Sequence, residues 1–162
     1  MAVKKTILVV EDHRVRSDNI ENALRGIGYG TRWTDASDIA WQCLNLGASA
    51  VLVQGREMGW EAIEGGSYAL MILDVDAIRV DPYGQVLRGE GMRLLRRLRG
   101  DPRFSAENLP VIGVTHHMPP NAATWREEFL ASGGNEFFEY WLNMEEVLRA
   151  VERLTGGAVR RY

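Results

Sequence analysis

The sequence holds a single cysteine, Cys43, which excludes an internal disulfide framework and suits a reducing compartment. No apolar run approaches the roughly 20 residues a membrane helix needs. Met1-Ala2-Val3-Lys4-Lys5 leads straight into a strand pattern, without the apolar core or cleavage site of a signal peptide. A cytoplasmic protein without a membrane partner is the expectation. Excess positive charge is also missing: 19 Lys and Arg stand against 22 Asp and Glu, and the net charge of −3 argues against general nucleic-acid affinity. Lysine is the scarcest charge, confined to Lys4 and Lys5. Repeats and low-complexity tracts are absent. What remains is an ordinary globular composition, 46% hydrophobic and 25% charged over 162 residues. It suits one domain with a real core, expected over residues 1–155, with 156–162 as a tail.

What the chain does contain is organised around Tyr68-Ala69-Leu70-Met71-Ile72-Leu73-Asp74-Val75-Asp76. Gly65-Gly66-Ser67 precedes the apolar run and two carboxylates follow it, the pattern of a strand buried on both faces that ends in acid. Asp74 is therefore expected at a strand's carboxyl end. In open α/β sheets that edge collects ligands, because rigidly held loops and helix N-termini meet there. Ile7-Leu8-Val9-Val10 runs into Glu11-Asp12 in the same way. If the two strands are parallel neighbours, their carboxylates converge on one small volume. Like charges held together repel, so a functional reading is preferred to simple helix capping.

Residues 6–10 form the first expected strand, and residues 14–25 a helix with Ile20, Ala23, Leu24 and Ile27 on one face, stopped by Gly26, Gly28 and Gly30. Residues 31–34 read as a short polar strand, after which Asp35 or Ser37 caps a helix carrying Ile39, Ala40, Cys43 and Leu44. Residues 50–53 also read as a strand, and Met58, Ala62 and Ile63 as a short helix. The second strand is thus either 31–34 or 50–53, the other being an insertion, and Trp33, Trp41 and Trp60 surround this extra segment. After Asp74 a long loop over 75–90, with the turn signal Asp81-Pro82-Tyr83-Gly84, is expected above the acidic edge. Residues 91–99 read as a helix with Leu94, Leu95 and Leu98 inward and Arg93, Arg96, Arg97 and Arg99 outward. That makes the arginine run at 88–103 a solvated face rather than a phosphate or nucleic-acid site. A strand at 110–114, a helix at 121–131 anchored by Trp125 and Phe129, and a strand at 136–139 follow. The last helix carries Met144, Val147, Leu148, Val151 and Leu154. Five strand-helix units of this kind imply a doubly wound, three-layer α/β sandwich, flavodoxin-like, with a five-stranded parallel sheet and insertions before and after the third strand.

The ordered set of motifs resembles the receiver domain of two-component response regulators. Glu11-Asp12 ends the first strand, Asp74 the third and Thr115 the fourth, while Gly133-Gly134-Asn135-Glu136-Phe137 leads into the fifth. Gly91-Met92-Arg93-Leu94-Leu95 resembles the start of the family's third helix, and Leu109-Pro110-Val111-Ile112 its fourth strand. The resemblance implies a signalling domain, not an enzyme with a separate substrate, in which Asp74 accepts a phosphoryl group from a histidine kinase or phosphotransfer protein in a phosphorelay. It also implies Mg²⁺ held by Asp12, Asp74 and the carbonyl of Asp76, with Glu11 acting through water; such a half-open oxygen site suits that ion. Thr115 would contact the phosphoryl group, and Phe137 would be the coupled switch aromatic. The fourth helix, fifth strand and fifth helix would form the signalling surface and the contact of a homodimer.

One departure stands out. The family carries a lysine followed by proline at the end of its fifth strand, whereas this chain has Tyr140 and Trp141 there. Tyr140 donates a hydrogen bond but brings no positive charge at neutral pH, and an ion-paired contact is the stronger one. His116 also replaces the family's usual small residue after the threonine. The switch through Thr115 and Phe137 is accordingly expected to be weakened, unless Arg79 or Arg88 reaches over from the loop. A phosphorylation-independent pseudo-receiver, serving as an interaction module, is the alternative. A haloacid-dehalogenase-like phosphohydrolase, suggested by Asp74-Val75-Asp76 and Thr115, is a distant one because its downstream lysine and acidic pair are missing. His13, His116 and His117 lie near the same edge and read as loop residues rather than metal ligands.

Overall fold

A computed structural model describes residues 5–11, 14–34, 63–76, 79–80, 83, 86–87, 89–115, 121–139 and 144–156. In chain order the elements are β1 Thr6–Val10, α1 Arg14–Gly26, β2 Gly30–Thr34, β3 Leu70–Asp74, β4 Arg79–Val80 and β5 Val86–Leu87. They continue with α2 Glu90–Arg99, a 3-10 turn at Pro102–Phe104, β6 Val111–Thr115, α3 Asn121–Ala131, β7 Glu136–Glu139 and α4 Met144–Thr155. β2, β1, β3, β6 and β7 hydrogen-bond in that order, and every pairing is parallel. The expected α/β sandwich is therefore present, with β3 at the centre of the sheet.

Strands β3 and β6 are buried at all five positions, which is why their sequences are apolar without alternation. The pleat sends alternate side chains to opposite faces. Leu8, Val10, Met71, Leu73, Val111 and Phe137 pack with Leu94, Leu95 and Leu98 of α2 and Phe129 of α3. Ile7, Val9, Leu70, Ile72, Ile112 and Val114 pack with Ile20 and Leu24 of α1 and Val147, Ala150 and Val151 of α4. The sheet thus lies between two helical layers. Phe129 is fully buried, and β-carbons added at Gly113 or Gly134 would overlap its ring, so the two glycines make the slot that the ring fills.

The second strand is the polar one. Thr6 to Val10 pair one for one with Gly30 to Thr34, while residues 50–53 lie outside the described part. Among the described residues β2 ends the sheet, where no two-sided apolar run is needed, and it is held partly by polar contacts. Glu21, 3% exposed on α1, accepts from Thr31 Oγ1 at 2.8 Å, Arg25 Nη2 at 2.8 Å and Ser17 Oγ at 3.2 Å.

Two further expectations need correction. The loop after Asp74 is not wholly irregular, since Arg79 pairs with Leu87 and Val80 with Val86 in a short antiparallel ribbon. Arg99 does not point outward with its neighbours. Its guanidinium is half-buried and donates to the carbonyls of Gly133 at 2.9 Å, Phe104 at 2.6 Å and Leu109 at 3.1 Å, and to Asn135 Oδ1 at 3.1 Å. Bonds to four carbonyl-type oxygens outweigh the cost of burying part of a cation, although that burial lowers its pKa from the usual arginine value. Nearby, the Arg103 side chain and backbone N–H bond Asp101 at the turn's start and hold its carboxyl below the usual carboxylate range.

Candidate functional site

The register of the central strands builds the site. Val10 pairs with Leu73, so the next residues, Glu11 and Asp74, stand side by side at the carboxyl edge of neighbouring strands. Asp74 in turn pairs with Val114, which sets Thr115 one step further along the same edge. Glu11 is 1% exposed, Asp74 2% and Thr115 fully buried. Buried carboxylates this close need a cation. The structure supplies one from a residue that the sequence did not single out: Arg16, in the first turn of α1, places Nη2 3.0 Å from Glu11 Oε1 and 3.9 Å from Asp74 Oδ2. Its Nε also donates to Glu11 Oε1 at 3.2 Å.

Backbone contacts fix the two acids. Trp33 Nε1 on β2 donates to the Glu11 carbonyl at 3.0 Å, so the edge strand ties down the end of β1. The Asp76 N–H donates to Asp74 Oδ1 at 3.2 Å, and the Gly89 N–H donates to Asp76 Oδ1 at 3.3 Å. The chain leaving Asp74 is thereby joined to the start of α2. Gly91, in the first turn of α2, sits directly against this segment: an added β-carbon would overlap the Asp74 carbonyl and lie 2.8 Å from Val75 Cα.

Of the residues expected from sequence, Glu11, Asp74, Asp76 and Thr115 share one edge and are all buried. Phe137 is not at the edge. It lies within β7, 2% exposed, with its ring centroid 5.7 Å from that of Phe129 and Arg126 Cζ 5.3 Å from the ring. Asp12, Tyr140, the three histidines and Arg88 lie outside the described residues, as does the Arg79 side chain. Sequence reasoning missed Arg16, Trp33 and Gly91. A signal for Arg16 was available: α1 has no acid in its first turn but has this cation, against the sign the helix dipole favours there by about 0.3–1 kcal/mol.

The donor chemistry fits a hard divalent cation, because Glu11 and Asp74 present buried carboxylate oxygens at adjacent strand ends. Among the described residues no group of three or more His, Cys, Asp or Glu surrounds one point. Asp12, the remaining carboxylate of the expected set, is not among them.

A sheet ordered β2-β1-β3-β6-β7, with acids ending β1 and β3 and a threonine ending β6, defines the class: the chain has the fold of a response-regulator receiver domain. No family model matches the sequence, and no curated protein does. The similar solved structures include a response regulator from Chloroflexus aurantiacus, 20% identical, with TM-score 0.65 over 95% of this chain and 99% of that one. A receiver protein from Burkholderia phymatum is 23% identical, with TM-score 0.62 over 96% and 98%. The receiver domain of a sensor histidine kinase from Pseudomonas aeruginosa, described with a magnesium ion coordinated in its active site cleft, is 21% identical, with TM-score 0.59 over 96% and 100%.

Proposed function

We propose that this protein is a phosphorelay receiver in which Asp74 accepts a phosphoryl group from a histidine kinase or phosphotransfer protein, rather than an enzyme acting on a separate substrate. The observation that carries this reading is the register that sets buried Glu11 beside buried Asp74 at the sheet's carboxyl edge, with Thr115 ending the next strand. Magnesium, when bound by Glu11, Asp12, Asp74 and the Asp76 carbonyl, supplies positive charge against the phosphoryl oxygens. The protein's own groups do the rest. Asp76 orients Asp74 through its backbone N–H, and Thr115 donates its hydroxyl to the phosphoryl group. Phe137, packed on Phe129 beneath Arg126, couples that movement to the surface of α3, β7 and α4, which is also the proposed homodimer contact.

A cytoplasmic location belongs to the same proposal; no helix among the described residues is long and apolar enough to cross a membrane. The test is intact mass after incubation with acetyl phosphate and Mg²⁺. Wild type is expected to gain one phosphoryl group and Asp74→Asn none. An unmodified wild type would instead favour the phosphorylation-independent pseudo-receiver, which the absence of a lysine at Tyr140 already suggests.

A further inference from the structure

We infer that Arg16 is the phosphoryl-stabilising cation of this pocket, held by α1 in place of the lysine that β7 lacks; the inference rests on Asp74 being the phosphoacceptor. A carboxylate receives a phosphoryl group only against the repulsion of two anions, so charge beside the receiving oxygen governs the rate. Asp74 Oδ1 accepts the Asp76 N–H, whereas Oδ2 faces the Arg16 guanidinium at 3.9 Å. The same Nη2 lies 3.0 Å from Glu11, so one planar cation serves both strand ends. A guanidinium carries five N–H donors in a fixed fork, so it can keep Glu11 on one edge while turning another to a phosphoryl oxygen. The Arg16 side chain is 30% exposed while both acids are buried, so the cation is the solvent-facing member of the group. Its place in the first turn of α1 gains nothing from the helix dipole, so the pairing with the two carboxylates is what favours a cation there.

With acetyl phosphate as donor, an Asp74 carboxylate oxygen forms a bond to phosphorus as the bond from phosphorus to the acetyl oxygen breaks. Acetate leaves with that electron pair, and no proton is left over. Arg16 offsets the charge on the transferring oxygens throughout.

The experiment measures phosphorylation rates of the full chain by intact mass, with acetyl phosphate and Mg²⁺, for wild type, Arg16→Gln, Arg16→Lys and Arg16→Ala. Arg16→Gln is expected to react about a hundredfold more slowly, the lower end of the effect of losing one charge-stabilising donor. Arg16→Lys should recover part of the rate, and low guanidinium chloride should restore Arg16→Ala saturably. That rescue is the readout a merely structural role would not give. If wild type is phosphorylated and Arg16→Gln reacts within about twofold of it, the inference is overturned while the phosphoacceptor reading stands. Slowing that neither lysine nor guanidinium relieves also overturns it, as does an unmodified wild type, which removes the phosphoacceptor reading as well. Should Arg16→Gln fail to fold, the Arg16→Lys rate decides, with full wild-type speed or a complete block against the inference and an intermediate rate for it.

Discussion

Replacing Gly91 with alanine is expected to destabilise the protein by about 3 kcal/mol and to disturb Asp74 in whatever fraction folds. The new β-carbon would overlap the Asp74 carbonyl oxygen and stand 2.9 Å from its carbon and 2.8 Å from Val75 Cα. These are backbone atoms of the central strand's end, so no side-chain rotation relieves the clash. Either α2 retreats, which weakens the Met92 N–H bond to the Val75 carbonyl and opens the leucine face packed on the sheet, or the strand end shifts and takes the carboxylate with it. Urea denaturation gives the stability change, and the acetyl phosphate assay on folded protein reports the site. A variant within about 0.5 kcal/mol of wild type, the range of an ordinary surface change, would show that α2 does not approach Asp74 this closely.

Arg99→Ala is expected to cost about 3 kcal/mol, from the loss of charge-assisted bonds and the exposure of acceptors left without a donor. The side chain joins three segments: the 3-10 turn at Phe104, the approach to β6 at Leu109 and the turn into β7 at Gly133 and Asn135. Asn135 extends the link by accepting the Val111 N–H at 2.9 Å and donating to the Ala106 carbonyl at 3.3 Å. Arg99→Lys should recover less than half of the loss, since an ammonium cannot span three carbonyls and an amide. The effect should be flat across neutral pH. Burial lowers the pKa of Arg99 from the usual arginine value, but an arginine stays protonated across the neutral range in both the folded and the unfolded chain, so no proton is exchanged on unfolding there. Equal stability of Arg99→Ala and wild type in urea would overturn this account.

The sequence by itself determined β1, β3, β6 and β7, the facing sides of α1, α2 and α4, and the placement of Glu11, Asp74 and Thr115 at one edge. The reason is local: burial on two faces demands an unbroken apolar run, burial on one demands helical spacing, and the residue that ends a buried parallel strand stands at the sheet's rim. Tertiary structure alone decided which candidate was β2, because an edge strand carries no two-sided apolar signature and is defined by pairing Gly30 to Thr34 against β1. It also decided where the long arginines went. Arg96 and Arg99 read alike in sequence, yet Arg96 pairs with Glu128 while Arg99 meets the turn carbonyls beneath the end of α2, and Arg16 reaches Glu11 and Asp74 only because α1 packs beside both strand ends. Gly91 likewise shows its constraint only once α2 lies on β3. Apolar pattern records burial residue by residue, whereas the partner of a charge or the space at a glycine belongs to segments that only the packed chain brings together.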